Sequence, residues 1–130
     1  MKLVFFALAE NAIVDQKTNK LSVINILDNS ITEGFPFLIP NLTAASILEK
    51  EALDEQNMHA NLKIKFYDIV MGEAVIDYNF IDGSPRTRNM ASISGLMIPS
   101  PGTLTAVLEN TDGTEITTYC IEFQSRIMVR

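Results

Sequence analysis

Residues Met58–Asp82, MHANLKIKFYDIVMGEAVIDYNFID, constrain the chain more than any other stretch. Ala60, Leu62, Ile64 and Phe66 fall on one side and His59, Asn61, Lys63 and Lys65 on the other. A period of two belongs to a strand with one dry and one wet face. After Gly72 the alternation resumes, with Ala74, Ile76, Tyr78 and Phe80 set against Val75, Asp77 and Asn79. Such a hairpin leaves its apolar face in water unless a second layer covers it. The rest of the chain has to supply that layer.

The other segments read as strands and turns. Leu3–Val14 is apolar, residues 15–20 are a polar turn, and Leu21–Leu27 is a second strand that Asp28-Asn29-Ser30 breaks. Residues 34–40 (GFPFLIP) carry two prolines, which bar a regular central strand, so a long connection or an edge is expected there. Leu42–Glu49 resumes β character, and only Lys50–Asn57 (KEALDEQN) has a composition that favours helix, for a turn or two at most. Asp82-Gly83-Ser84-Pro85 is a turn. Thr87–Ile98 is a strand whose small residues, Ala91, Ser92, Ser94 and Gly95, suit the close approach of a neighbouring backbone. Thr103–Glu109 and Glu115–Ser125 make a last hairpin around Asp112-Gly113. The expectation is an all-β, antiparallel β-sandwich of about eight strands, immunoglobulin-like or C2-like. It has at most one short helix near residues 50–57 and is one domain over residues 1–130.

Composition narrows the function classes. A chain of 130 residues, 47 % apolar and 20 % charged, is able to fold around its own core without disulfides or metal. Ten Lys and Arg against sixteen Asp and Glu give a net charge of −6, and no basic cluster is visible along the sequence, which argues against nucleic acid as a partner. The single cysteine, Cys120, has no partner for an internal disulfide and is expected as a small buried side chain, which fits a reducing cytoplasm. Lys2 followed by Leu3–Ala9 is at the short end of the roughly 7–15 apolar residues of a secretory signal, and a first strand is expected there instead. No run approaches the roughly 20 apolar residues of a membrane span.

FALAENAIVD at 6–15, LysLeuSerValIle at 20–24, and Pro101-Gly102 opening a strand that turns at Asp112-Gly113 resemble a family of short bacterial proteins of unknown function. In that family a first strand ends in an a-x-Val-Asp pattern, a second strand ends in glycine, and a Pro-Gly strand lies near the C-terminus. The chain departs from the pattern at Asn25, where glycine is more usual, and at Leu104, where an aromatic is. The resemblance implies an all-β fold and carries no catalytic or ligand residues.

Chemistry-bearing residues are sparse. His59 is the only histidine, and no GxSxG-type elbow accompanies it. Cys120 lacks the companions that zinc or a nucleophile would need. The glycines are dispersed, so no phosphate loop is present. Simple strand alternation gathers the turns at 15–20, 49–57, 82–86 and 110–114 at one end. It brings Asp15, Glu49, Glu51, Asp54, Glu55, Asp82 and Asp112 together, with Lys17, Lys20, Lys50, Arg86 and Arg88 among them. Calcium binding or hydrolysis would use that end, but without Asp-x-Asp-x-Asp spacing a solvated polar surface is expected.

The opposite end gathers three mostly apolar segments: Phe35-Pro36-Phe37-Leu38-Ile39-Pro40, Ile69-Val70-Met71 and Leu96-Met97-Ile98-Pro99-Ser100-Pro101. Either they plug the core or they form a contact surface, because loops in water are ordinarily polar. The contact reading assigns Phe35, Phe37, Ile39, Met71, Met97 and Ile98 to a site for a protein partner or a second copy of the chain. A small-ligand carrier is also open, with Phe35, Phe37, Tyr67 and Tyr78 lining a cleft between sheets. Beyond Cys120 the alternation continues to Val129 as a possible free edge, with Arg126 and Arg130 to blunt it. The sequence thus points to a non-catalytic binding or assembly module with no cofactor and no metal.

Overall fold

The computed structural model describes residues 1–51, 54–81 and 83–125. Among them run β1 (Lys2–Val14), β2 (Leu21–Ile26), β3 (Asn29–Thr32), β4 (Phe37–Glu49), β5 (Asn57–Phe66), β6 (Ile69–Asn79), β7 (Arg86–Ile98), β8 (Gly102–Asn110) and β9 (Glu115–Ser125). They form a four-stranded sheet, β2-β1-β4-β7, packed on a five-stranded sheet, β3-β9-β8-β5-β6, which is a β-sandwich. No helix occurs among the described residues, so none is long and apolar enough to cross a membrane. Of the segment expected to favour helix, Ala52 and Leu53 lie outside the described residues and Asn57 already begins β5.

The alternation at 58–80 does what its period requires. Ala60, Leu62, Ile64, Ile76 and Tyr78 are buried between the sheets, with Leu42, Leu48, Leu104, Leu108, Ile121 and Phe123 packed in the same core. A polar pair within this interior, Ser46 Oγ and Tyr78 Oη, is mutually satisfied at 2.7 Å. An unmade bond there would cost more than the made one contributes. Burial pushes the Tyr78 hydroxyl pKa up, only partly offset by Ser46.

One pairing is not antiparallel. β3 lies parallel to β9, on residues that the Asp28-Asn29-Ser30 signal marks as a break. The break is a change of sheet: the Leu27 N–H donates to Leu8 O at 2.8 Å, while Asp28 O accepts from the Glu122 N–H of the other sheet at 3.0 Å. The chain crosses the sandwich in a single peptide step, and a strand arriving that way runs alongside β9 in the same direction.

Residues 37–40 correct the expectation of a connection or edge, because they open β4, an interior strand. Pro40 is tolerated because β1 pairs with β4 only as far as Ala9↔Thr43, so no partner asks for its missing N–H on that side. On the other side, the pairs Ile39↔Leu96 and Asn41↔Ser94 bracket Pro40 and Gly95, and Gly95 sits at φ 75°. Nothing lies within 4 Å of where a Gly95 Cβ would be, so this glycine serves the backbone and not a close approach. The kink reverses the alternation. Phe37 and Ile39 point inward before it, and Leu42, Ala44, Ser46 and Leu48 do so after it.

A second kink turns the β1–β2 hairpin back over its own sheet. At Glu10, Asn11 and Asn25 the exposed positions run together, and Asn25 sits at φ 56° with its Nδ2 donating to Glu10 Oε2 at 2.9 Å. Beyond this point the hairpin tip reaches β7, where Arg88 Nη2 donates to Asn19 O at 2.7 Å. To get there it must pass over β4. The residues beneath confirm the path: Ala7, Ala9, Thr43 and Ala45 point away from the core yet are at most 3 % exposed. Ala12, Val14, Leu21 and Val23 are the half-buried side of the hairpin, while Ile13 and Ile24 face solvent. The small residues that admit a third layer are therefore on β1 and β4, and not the Ser92, Ser94 and Gly95 of β7, which are exposed. The backbone at Asn25 gives a direct test. Urea unfolding of Asn25→Gly should stay within about 0.5 kcal/mol of the parent, whereas Asn25→Val should lose about 1–2 kcal/mol, because a branched residue resists the left-handed region.

The two sheets are joined along the β6 and β7 edges by side chains. Thr87 Oγ1 donates to Asn79 O at 2.9 Å and Asn89 Nδ2 donates to Asp77 O at 3.1 Å. These bonds occupy edge carbonyls that would otherwise be open to another strand.

Candidate functional site

The three apolar segments do share one pole. Phe37 pairs with Ile98 across β4 and β7, and a Cβ on Gly72 would meet Ile93 and Leu96. The turn Tyr67-Asp68, between β5 and β6, also reaches this pole, because a Cβ on Gly102 would lie 2.8 Å from Tyr67 Oη.

The six residues assigned to this surface divide. Ile39 and Ile98, at 6 % and 0 % exposure, are core residues and offer nothing to a partner. Phe35, Phe37 and Met71 are half-buried and packed against the core. Phe37 meets Phe123 at 6.3 Å between ring centroids. Met71 is the extra residue of a β-bulge between the Ile64↔Gly72 and Lys65↔Val70 pairs, which turns it inward. Only Met97 stands in solvent. The other side chains that face outward are Leu38, Ile69 and Val70, which belong to the apolar segments but not to the six assigned residues, and Tyr67, which was expected in a ligand cleft. Leu38 pairs with Met97 on the outer side of its sheet. The signal that would have found it is the Pro40 kink, since it shifts Leu38 out as it turns Phe37 and Ile39 in.

Tyr67 is the most unusual of these. It is 66 % exposed and holds φ 54°, a region that disfavours bulky residues, in a two-residue turn closed by Phe66↔Ile69. Its ring meets Phe66 edge-on at 4.8 Å. Glycine at 102 leaves room for its hydroxyl.

Where β1 peels away from β4, a cleft of about 360 Å³ opens between the sheets. Leu27, Phe37, Ile39 and Phe123 form its apolar wall, and Glu10, Ser30 and Asn41 its polar rim. Of the aromatics expected to line a ligand cleft, only Phe37 does so. Tyr78 is fully buried and Tyr67 is out at the pole.

At the opposite pole five of the acids expected there, Asp15, Glu49, Glu51, Asp54 and Asp112, are engaged locally, and Glu55 is exposed. Asp15 accepts from the N–H groups of Thr18 and, next in effect, Lys17, which hold its pKa below the ordinary carboxylate value. Asp112 accepts from Thr114 through side chain and backbone, with the same effect. Glu49 takes Arg86 Nε at 3.3 Å, and the Met1 ammonium lies 2.5 Å from Asp54 and 3.2 Å from Glu51. Among the described residues no three His, Cys, Asp or Glu side chains converge as metal ligands, and Asp82 lies outside them.

The Met1–Asp54 pair sets a pH dependence. Burial opposes the ammonium, but its hydrogen bonds to Asp54 and Glu51 outweigh this and raise its pKa. The Asp54 pKa is lowered, first by the ammonium and then by the Glu51 N–H. A raised amine stabilises until pH climbs through its folded pKa, and a lowered carboxyl stabilises until pH falls through its own. The melting temperature of Asp54→Asn should therefore lie furthest below the parent between those two pKa values, and the gap should close at either extreme.

His59 Nδ1 and Asp77 Oδ1 are 2.5 Å apart as a cross-strand pair on the exposed face of β5 and β6. No hydroxyl or thiol is bonded to the imidazole among the described residues. Cys120 corrects the expectation of burial: it is exposed on the outer face of β9, beside Thr105. Residues 126–130, with Arg126 and Arg130, lie outside the described residues. The chain matches no protein-family model and no curated protein.

Proposed function

We propose that this protein is a non-catalytic binding module that docks a partner protein, or a second copy of itself, through the apolar pole. The observation that carries the reading is the set Leu38, Tyr67, Ile69, Val70 and Met97, all exposed at one pole while their apolar neighbours fill the core. Tyrosine and methionine are residue types that interfaces favour, and an aromatic held at positive φ is a conformation kept at a cost. Among the described residues the His59 imidazole pairs with Asp77 and no hydroxyl or thiol is bonded to it, which supports the non-catalytic reading. The unpaired thiol suits a reducing cytoplasm.

The test is site-specific photocrosslinking in cells, with a benzophenone amino acid at position 67 or, as control, at Thr118, exposed on β9 away from the apolar pole. Position 67 should yield a discrete adduct that Met97→Asp abolishes without lowering the melting temperature. Equal labelling from both positions would sink the reading.

A second reading, a carrier for a small apolar molecule, rests on the cleft, whose volume of about 360 Å³ falls in the lower part of the range of roughly 300–1,000 Å³ for small-molecule sites. A ligand held there would raise the melting temperature of the parent but not of a variant with Ile39→Trp filling the cleft.

A further inference from the structure

The fold builds a basic corner that the order of residues hides. The hairpin turn carrying Lys17 and Lys20 folds back against the start of β7, which carries Arg86 and Arg88, and the Lys50 N–H donates to Pro85 O at 2.7 Å just beside them. These five are half of the ten Lys and Arg in a chain of net charge −6. Between hairpin tip and β7 lies a groove of about 270 Å³, lined by Asn19, Ile47, Ser84, Arg86, Thr87 and Arg88.

Both guanidiniums are steered into position and left mostly unspent. Arg86 pairs across the sheet with Glu49 and Arg88 with Ile47, so the two forks rise from the same outer face. A guanidinium has five N–H donors. Arg86 uses Nε on Glu49 and Arg88 uses Nη2 on Asn19 O, and the other donors meet no acceptor among the described residues. The local acids are already engaged: Glu49 with Arg86 Nε itself, Asp15 within its own turn, Glu51 and Asp54 with the Met1 ammonium. What remains is positive charge, planar donor forks and a concavity.

We propose that this groove binds a small phosphate-bearing anion, gripped by Arg86 and Arg88, and that the bound anion fastens the hairpin tip to β7. Guanidinium forks match the oxygens of phosphate in pairs. The overall negative charge and the small volume select a compact dianion and reject a polyanion such as nucleic acid.

The experiment titrates the full chain with inorganic phosphate and with glycerol 2-phosphate, followed by calorimetry and by the arginine Nε–Hε resonances. Saturable binding with shifts at Arg86 and Arg88 is expected. Arg86→Gln and Arg88→Gln should each weaken it about tenfold, as loss of a charged hydrogen bond does. Lys63→Gln, on the outer face of the other sheet, should leave it unchanged. Saturating phosphate should also slow amide exchange at Asn19 and Lys20 in the parent but not in the double arginine variant. No saturation by either anion up to about 10 mM, beyond the weak end of specific affinity, would overturn the assignment, as would undiminished binding in the double variant.

Discussion

Phe123→Ala should lower the stability of this domain by about 3–5 kcal/mol, the range for removing a buried aromatic. Phe123 is 2 % exposed, its ring meets Phe37 at 6.3 Å, and it forms part of the wall between the inter-sheet core and the cleft beside β1. Removing it joins the new void to a space already about 360 Å³ in volume. The surroundings have little means of closing such a gap. Phe37 is tethered through its pairing with Ile98, and Ile39 through Leu96. Chemical denaturation would measure the loss, and Phe123→Leu should recover much of it. A loss below about 1.5 kcal/mol, the range of volume-conserving swaps, would mean that the cleft and core are not contiguous.

Ala45→Phe should act at the opposite surface of the same sheet. Ala45 has no exposed area although it points away from the inter-sheet core, and it pairs with Ala7 on one side and Met90 on the other. A phenylalanine there has no room under the β1–β2 hairpin. Overpacking costs about 1–3 kcal/mol, and here the cheaper relaxation is for the hairpin to lift. Hydrogen exchange should accelerate over residues 11–24 and stay near the parent values in β5 and β8. Uniform acceleration would instead mean that the sheet itself had given way. Ala45→Ser, which adds little volume, should leave the hairpin seated.

These experiments test what the sequence could not deliver. The hairpin at 58–80 was legible because both of its faces obey one period without interruption, and Leu62, Ile64, Ile76 and Tyr78 are buried as that period requires. The site was harder to read because its residues sit beside kinks. At Pro40 and Gly95 the alternation reverses, so Phe37 and Ile39 turn in and Leu38 and Met97 turn out. A proline marks such a spot, but it does not say which neighbours will be exposed. The fold-back at Glu10 and Asn25 was invisible in a different way. Asn25 is of a type that tolerates the left-handed region, but one such residue inside the apolar run Leu21–Leu27 does not reveal that its backbone sends residues 15–20 next to 86–88. The basic corner exists only because of that return. A glycine at position 25 would adopt the same φ without strain. Cys120 misled because its strand-like context is real. The side of the strand it occupies was decided by Ile121 and Phe123, which took the inner face.

The side-chain bonds from Thr87 and Asn89 to the β6 backbone have a mechanical consequence. They bind one long side of the sandwich like the spine of a book. The opposite side, where β1 turns off toward its hairpin and the chain steps between layers at Leu27 and Asp28, is the fore-edge. The leaves should part there first, so anything that enters between them comes in past Glu10 and Ser30.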